Sequence, residues 1–291
     1  MSTPAHRSTL DAVADTLGLP RDAAFRPLGH GTGHQAFAIG DLVVRIDLAD
    51  DAERSIRVVR EARLLAEVAS ISPLAVPEVA ASRPDLGVIV VRRLPGVSAL
   101  DRRPTAPEAI AAQLAEFVAA LARIDRRDVA GLVHVDDAPP DAYLAELIPR
   151  ADAVRAELTA QQRRALDAFL GSPPPPPANL AVFCHHDLGA EHILLDENGR
   201  TVTGVIDWSD AAITDPAHDL GRVLRDFGAA VAGACQQSLA LDDGGIVDRI
   251  LFHARCSLIE DLAYGVDEGD RRYANAALRS FARLFSPNPL G

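Results

Sequence analysis

Carboxylates and imidazoles interrupt an otherwise apolar stretch of the chain between residues 183 and 219. Asp187 follows one short apolar run, His192 precedes a second, and Asp207 ends a third. Because polar groups at the ends of adjacent short strands converge, we expect these three side chains to lie together. Two carboxylates and an imidazole can hold a divalent cation and orient a hydroxyl group. Three such residues on one hairpin predict a reactive site rather than isolated surface or core residues.

A strand-rich region that could bind phosphate groups precedes this site in the chain. Gly29, Gly31 and Gly33 stand ahead of two apolar runs that meet at Gly40-Asp41, which is a hairpin signal. A glycine-rich loop at this position can cover phosphates. The glycines alone are weak evidence, because hairpins also use glycine freely.

A positive charge on the following strand would anchor such phosphates. The chain has no lysine, since all 29 of its basic residues are arginine, so Arg45 in the run Val43-Val44-Arg45 is the candidate anchor. A guanidinium is permanently charged and can grip phosphate oxygens in pairs. Glu61, sixteen residues further on in a predicted helix, could hold the anchor in place. The alternative is that Arg45 and Glu61 form an ordinary surface pair.

Helical periodicity fills much of the remaining chain. Residues 8–17 are predicted to form a short helix, and residues 51–69 an amphipathic helix that Asp50 or Asp51 can cap. The predicted apolar face of the second helix consists of Ile56, Val59, Leu64, Leu65 and Val68. The later elements are a short strand over 88–91, helices over 106–124, 141–170 and 215–286, and an exposed polyproline connector at the five prolines 173–177.

This order of elements predicts an α+β protein with two lobes and a cleft between them. The expected domains are a small strand-rich lobe over residues 1–95 and a larger, mostly helical lobe over residues 96–291. A length of 291 residues corresponds to two domains or to one two-lobed domain.

Composition excludes several other classes of protein. The formal net charge of −12 argues against general binding to nucleic acids or anionic membranes, since both need a basic surface. The absence of lysine rules out Schiff-base chemistry. The three cysteines show no paired spacing, which fits a reducing compartment. Neither a signal peptide nor an apolar run of the ~20 residues that span a membrane is visible, so we expect a cytoplasmic protein.

The reactive site has the pattern His185-x-Asp187-x4-His192, followed by Ile206-Asp207-Trp208 and a continuation to Asp219. This pattern resembles the kinase-like small-molecule phosphotransferases, most closely the aminoglycoside 2″-phosphotransferase and macrolide phosphotransferase branches. The wider superfamily usually has asparagine where this chain has His192, and the two named branches share the histidine. The resemblance covers residues 25–286 and is most specific over 183–219.

The resemblance implies a two-lobed protein-kinase-like fold, a monomer, and transfer of the γ-phosphate of ATP or GTP to an acceptor hydroxyl. Asp187 would orient that hydroxyl. His192 and Asp207 would bind Mg²⁺, with Mn²⁺ as an alternative because an imidazole replaces the usual amide. The implied nucleotide-binding residues are Gly31, Thr32, Gly33, Arg45, Glu61 and, through backbone groups of the hinge, Arg92 and Leu94. The implied acceptor-binding carboxylates are Asp210, Glu260, Asp261, Asp267 and Glu268.

Several interpretations of the acceptor and of the activity stay open. The acidic chain favours a cationic antibiotic, either an aminoglycoside or a basic peptide, and a macrolide is the alternative. The acidic residues near the C-terminus could also be a solvated helix end. The arginine at the usual lysine position suggests a kinase-like binding protein without turnover. A metal-dependent phosphohydrolase built on His185-His186-Asp187 is disfavoured, because helices surround the metal in such enzymes and Asp187 precedes a predicted hairpin.

Overall fold

The structure is a computed structural model that describes residues 4–20, 23–30, 33–49, 51–241 and 243–290. The chain divides into two compact units. The first contains Met1–Ile71, Ala75–Leu94 and Val129–Leu132, and the second contains Ser72–Leu74, Pro95–Asp128 and Val133–Gly291. Two short segments, 72–74 and 129–132, belong to a different unit from the residues on either side of them.

An antiparallel five-stranded sheet forms the centre of the first unit, with strand order β1-β2-β3-β5-β4. Its strands are β1 (Arg26–His30), β2 (His34–Ile39), β3 (Leu42–Asp47), β4 (Val79–Arg83) and β5 (Val88–Arg92). The predicted hairpin is present, because β2 and β3 pair across a two-residue turn. Gly40 in that turn has φ +56°, a conformation that glycine adopts without steric cost.

Two helices belong to the first unit, α1 (Pro4–Thr16) and α2 (Arg54–Ala69). The predicted apolar face of α2 is partly wrong, because Ile56 and Val59 are 47% and 45% exposed. The buried residues are Val58, Leu64, Leu65 and Val68. They follow the helical i, i+3, i+4 spacing, and Glu61 falls on the same stripe.

The start of α2 also differs from the prediction. Its N-cap is Glu53, which makes no capping hydrogen bond through its side chain. Asp51 lies in the preceding turn, where its Oδ1 accepts a hydrogen bond from the Glu53 backbone amide at 3.0 Å. Asp50 lies outside the described residues.

The second unit is mostly helical and contains two small sheets. Its helices are α3 (Pro107–Ala122), α4 (Pro140–Val154), α5 (Ala160–Leu170), α6 (Ala217–Phe227), α7 (Ala229–Leu239), α8 (Ile246–Asp267) and α9 (Arg271–Leu284). Its strands are β6 (Val97–Ser98), β7 (His134–Val135), β8 (Val182–Cys184), β9 (Ile193–Leu195), β10 (Val202–Val205) and β11 (Ala212–Thr214). The strand orders are β10-β9-β6 and β7-β11-β8.

The predicted continuous helix over 141–170 is two helices. A turn over Arg155–Glu157 follows α4, and Thr159 then opens α5. Thr159 and Gln162 form a reciprocal capping box, which satisfies backbone amides at the new helix start. The prolines 173–177 have no regular secondary structure, as predicted.

Helices α6 and α8 pack closely and carry several of the polar residues described below. A Cβ atom at Gly221 of α6 would lie 2.8 Å from the Ala254 backbone nitrogen of α8, so this close approach requires glycine. Among the described residues, no helix is long and apolar enough to cross a membrane.

Candidate active site

The structure brings Asp187, His192 and Asp207 together at the ends of three short strands. Strand β8 ends three residues before Asp187, β9 starts directly after His192, and β10 ends two residues before Asp207. His192 Nδ1 is 3.3 Å from Asp187 Oδ2, and His192 Nε2 is 3.7 Å from Asp207 Oδ2. The imidazole therefore lies between the two carboxylates.

His185 holds the loop that carries Asp187. Its Nε2 lies 3.0 Å from the Ile206 carbonyl oxygen, which can only accept, so this nitrogen donates. Its Nδ1 then accepts a hydrogen bond from the Asp187 backbone amide at 3.3 Å. Burial lowers the pKa of His185 to about 4, so the ring is neutral at pH 7. A fixed neutral tautomer suits a bracing role rather than a proton-transfer role.

Asp219, on α6, fastens the same loop from the other side. Its Oδ2 accepts a hydrogen bond from the His185 backbone amide at 2.8 Å. The side chain is buried, and burial raises its pKa to about 6 despite the nearby Arg222. The hydrogen bonds of His185 and Asp219 thus hold the backbone of the loop that carries Asp187.

Arg222 of α6 pairs directly with Asp187. Its Nε donates to Asp187 Oδ1 at 2.8 Å. Burial alone would raise the pKa of Asp187, but Arg222 and His192 outweigh it and lower that pKa to about 2. Asp187 is therefore an ionised, oriented and weakly basic carboxylate.

The pKa of His192 is shifted in the opposite direction from that of Asp187. Burial opposes its protonation, but the carboxylates of Asp187, Glu191 and Asp207 outweigh burial and raise its pKa to about 9. Its Nδ1 lies 2.8 Å from the Asp187 carbonyl oxygen, so this nitrogen must donate. The other nitrogen, Nε2, faces Asp207.

Asp207 occupies an unusual backbone position. Its φ of +63° lies in the left-handed region, which residues with a Cβ adopt at a steric cost. Its Oδ1 accepts a hydrogen bond from the Ser209 hydroxyl at 2.9 Å, and 41% of its side chain is exposed. The carboxylate is thus held in place and remains accessible.

The donor set at His192 and Asp207 fits a divalent metal ion that takes the place of the proton on His192 Nε2. Two ligands bound to one ion at ~2.1 Å each can be at most about 4.2 Å apart, and the two atoms here are 3.7 Å apart. Metal-binding histidines usually donate their other ring N–H to a carbonyl or carboxylate, as His192 Nδ1 does. An oxygen ligand with an imidazole is compatible with Mg²⁺ and more favourable for Mn²⁺.

In the first unit, the predicted phosphate-binding residue Arg45 forms an ion pair with Glu61. Arg45 Nη1 on β3 donates to Glu61 Oε1 on α2, and both side chains are mostly buried. The pair is therefore not a mobile surface contact. Gly33 lies just before β2, and Gly31 and Thr32 lie outside the described residues.

The predicted hinge lies at the end of β5. The Arg92 backbone amide donates to the Glu78 carbonyl at 2.8 Å, and the Arg92 side chain pairs with Asp41 at 3.2 Å. Leu94 is the last residue of that segment of the first unit. The carbonyl of Arg92 and the amide of Leu94 stay predictions as nucleotide contacts.

The acidic residues of α8 do not form one cluster. Glu260 Oε1 accepts from Arg150 at 3.3 Å, and its Oε2 is 3.9 Å from Arg222 Nη2, so Glu260 adjoins the Asp187 site. Asp261 instead pairs with the buried Arg225 at 2.9 Å. That guanidinium already compensates the charge of Asp261, and a role for Asp261 in acceptor binding stays a prediction.

The three other predicted acceptor carboxylates are exposed. Asp267 and Glu268 lie at the C-terminal end of α8, two turns beyond Glu260. Asp210 lies in the loop after β10, and its carbonyl oxygen accepts a hydrogen bond from His186 Nδ1 at 3.2 Å. Glu260 and Asp210 each contact a residue beside Asp187, namely Arg222 and His186.

Sequence reasoning missed Arg222 and Glu191. Arg222 follows Asp219 by one helical turn, and this spacing is the signal that could have placed both on the face of α6 toward the loop. Glu191 precedes His192 and is 3.5 Å from the buried Arg225. No local pattern distinguishes it from a surface glutamate.

The arrangement defines a class of protein. An aspartate held by an arginine, beside a histidine–aspartate pair that fits a divalent cation, matches the parts of a kinase-like phosphotransferase. Residues 24–250 match the sequence model of the family described as "Phosphotransferase enzyme family". The chain belongs to this family.

Solved structures match the fold over nearly the whole chain, which confirms the predicted kinase-like α+β fold. The structure of wild-type aminoglycoside 2′-phosphotransferase-IIIa with GDP has a TM-score of 0.72 at 20% identity, covering 98% of this chain and 100% of the other. Macrolide 2′-phosphotransferase type I has a TM-score of 0.64 at 23% identity, covering 96% and 97%. The predicted resemblance to these two groups is confirmed.

A sequence relative is the viomycin phosphotransferase of Streptomyces vinaceus, 27% identical over 198 residues. The alignment covers 62% of this chain and 65% of the relative, just under two thirds of its length.

Proposed function

We propose that this protein transfers the γ-phosphate of ATP or GTP to a hydroxyl group of a cationic antibiotic. The observation that carries the proposal is the placement of Asp187, fixed by Arg222 at 2.8 Å, beside the His192–Asp207 pair. This placement sets a hydroxyl-orienting carboxylate next to donors for the cation that accompanies a nucleotide. Family membership supports the same reaction class.

Asp187 acts more by orienting the acceptor hydroxyl than by removing its proton. A carboxylate with a pKa near 2 is a weak general base, so Asp187 acts mainly by accepting a hydrogen bond from the acceptor hydroxyl. Phosphoryl transfer asks little of a base, since its transition state is loose and catalysis comes mostly from positioning and electrostatics. Arg222 keeps the carboxylate ionised and fixes its direction.

On the nucleotide side, the residues of the first unit supply charge. Arg45 would contact the α- and β-phosphates while Glu61 holds its guanidinium. His192 and Asp207 would hold Mg²⁺ or Mn²⁺, which neutralises charge on the β- and γ-phosphates when bound. Gly31, Thr32 and Gly33 would cover the phosphates. Backbone groups of Arg92 and Leu94 would bind the purine base.

The acceptor class follows from charge. Glu260 lies against Arg222, Asp210 is exposed near the reactive loop, and Asp267 and Glu268 are exposed further along α8. Carboxylates there attract a polycationic acceptor, either an aminoglycoside or a basic peptide. The likeness to viomycin phosphotransferase supports a basic peptide, and the likeness to an aminoglycoside phosphotransferase supports the sugar antibiotics.

A macrolide is the second candidate acceptor, supported by the fold match to macrolide 2′-phosphotransferase type I. We also propose that the protein acts as a monomer in the cytoplasm, where nucleoside triphosphates are available.

A phosphate-transfer screen of aminoglycosides, basic peptide antibiotics and macrolides with both nucleotides tests the function. A phosphorylated acceptor, detected as a mass increase, supports transfer, whereas free phosphate alone in every reaction contradicts it.

The anchor role of Arg45 gives a first prediction. We expect Arg45→Ala to raise the nucleotide KM at least about tenfold, because a charge-assisted contact is lost, and Arg45→Lys to recover much of that loss. Steady-state kinetics at saturating acceptor measure both values. Exposed Arg60→Ala on α2 is the matched control. Parent-like kinetics in both Arg45 variants would show that the Arg45–Glu61 pair is only structural.

The charge argument gives a second prediction. We expect the acceptor KM to rise with ionic strength more steeply than the nucleotide KM, because salt screens several exposed carboxylates. Glu260→Gln should raise the acceptor KM roughly two- to fivefold, and the double variant Asp267→Asn/Glu268→Gln by a similar factor. Kinetics at 50 and 500 mM salt are the measurement, with exposed Asp248→Asn as control. A KM indifferent to salt and to these changes favours a macrolide.

A further inference from the structure

A second group of potential metal ligands includes His186, the residue directly before Asp187. It consists of Asp136, His186 and His218, which we call the His186 cluster. Its three ligand atoms lie within 4.8 Å of one another. The three residues come from the segment after β7, the loop after β8, and the first turn of α6.

The orientation of His186 is fixed by its backbone and by one hydrogen bond. Its φ is +68°, a left-handed conformation that a residue with a Cβ adopts at a steric cost. Its Nδ1 lies 3.2 Å from the Asp210 carbonyl oxygen, so Nδ1 donates. In the neutral ring, Nε2 then presents a lone pair, the arrangement typical of metal-binding histidines.

That lone pair points at another acceptor. His186 Nε2 is 3.2 Å from Asp136 Oδ2. Two acceptors at this distance repel unless a proton or a cation lies between them. The separation is close to the ~3.3 Å expected for two ligands of one tetrahedral ion with bonds of about 2.0–2.1 Å.

Asp136 is held independently of His186. The Tyr143 hydroxyl donates to Asp136 Oδ2, and the Ala138 backbone amide donates to Oδ1 at 3.1 Å. Ligating carboxylates are commonly fixed by such outer hydrogen bonds. Oδ2 keeps a lone pair for a further partner.

His218 supplies the third ligand and lacks another polar partner. The residue is 4% exposed, and its ring makes no hydrogen bond with any residue in the described part of the chain. The centroid of its ring lies 4.8 Å from that of His186 and 3.8 Å from that of His253. A buried imidazole without a hydrogen bond is costly, so a ligand that satisfies it is favoured.

We propose that the His186 cluster binds Zn²⁺ through Asp136, His186 and His218. Two imidazoles and one carboxylate form a donor set that suits zinc, and three protein ligands leave one coordination position open. Mg²⁺ is not favoured by two imidazoles, which separates this site from the His192–Asp207 pair. The ligand atoms lie within 4.8 Å of one another, so closing on one tetrahedral ion shortens the longest separation by up to about 1.5 Å.

Zinc at this cluster would act on the neighbouring reactive residue through the backbone. His186 directly precedes Asp187 in the chain. The ion would tie the loop after β8 to the segment after β7 and to α6, in addition to the hydrogen bonds of His185 and Asp219. The expected role is structural support of the Asp187 loop, independent of which acceptor is phosphorylated.

The test uses the full-length protein, stripped with a chelator and dialysed. Titration with Zn²⁺ against a chromogenic chelator should show one tight equivalent per chain, and Co²⁺ should give the intense visible absorption of a four-coordinate site. His218→Ala should weaken zinc binding at least about 100-fold, because losing a ligand exceeds the effect of losing an outer hydrogen bond. Asp136→Asn should do the same without disturbing the interior of α6.

Two control variants make the result specific. His134→Ala removes an exposed histidine whose ring lies 5.9 Å from that of His186, and it should bind zinc like the parent. His192→Asn should also keep the cobalt spectrum, since it removes only the other candidate metal site. Absence of a tight equivalent in the parent, or equal affinity in the parent, His218→Ala and Asp136→Asn, would overturn the proposal and leave a protonated His186–Asp136 pair. Loss of the spectrum in His192→Asn alone would assign the ion to the His192 site and equally overturn it.

Discussion

Asp187→Asn is expected to lower turnover at least about 100-fold while leaving nucleotide affinity nearly unchanged. The substitution keeps the shape of the side chain and one oxygen that can accept from Arg222. It removes the negative charge that orients an acceptor hydroxyl and that could receive its proton. Because Asp187 is ionised at all ordinary pH values, the loss should be similar across the neutral range.

Single-turnover kinetics and nucleotide titration together measure this prediction. Asp248→Asn is the matched control, since it makes the same chemical change at an exposed position of α8. Thermal melting must accompany both, because Asp187→Asn weakens an ion pair with the partly buried Arg222. Turnover within threefold of the parent, in a folded variant, would remove Asp187 from the mechanism.

Elements with a local signature were predictable from the sequence. The β2–β3 hairpin carries its signal in Gly40-Asp41, and Asp187, His192 and Asp207 come together because each lies at a strand end. The break between α4 and α5 also has a local signal, because Thr159 and Gln162 have the spacing of a capping box that marks a new helix start.

Contacts between distant segments had no such signature. Arg222 reaches Asp187 through tertiary packing of α6, and the two residues are 35 positions apart. In sequence, Asp261 and Glu260 are equivalent neighbours on α8, yet one faces the buried Arg225 and the other adjoins Arg150. Tertiary packing, rather than composition, decides which carboxylate is available to a substrate.

The two carboxylates of the reactive site differ in environment, and this difference suits two roles. Asp187 is mostly enclosed and paired with Arg222, whereas 41% of the Asp207 side chain is exposed and its Oδ2 lies 3.7 Å from His192 Nε2. An enclosed carboxylate can orient a hydroxyl without being displaced. An accessible one can exchange water for a cation and a nucleotide.

The role of Asp207 leads to the prediction with the largest effect on binding. Asp207→Ala should abolish the metal-dependent part of nucleotide binding, because the site loses the carboxylate that faces His192 Nε2. Asp207→Asn should do nearly the same, since a neutral amide is a poorer ligand than a carboxylate. The asparagine variant matters because asparagine tolerates the left-handed backbone at this position better than alanine does.

Calorimetric titration of nucleotide with Mg²⁺, and again with a chelator, separates the metal-dependent affinity from the rest. The parent should bind at least about tenfold more tightly with Mg²⁺, and both variants should bind equally weakly under the two conditions. Glu197→Gln is the control, because it removes one negative charge at the exposed β9–β10 turn. If Asp207→Asn kept the full Mg²⁺ dependence, the metal would be held elsewhere. The pairing of His192 with Asp207 would then serve only to neutralise the acidic loop.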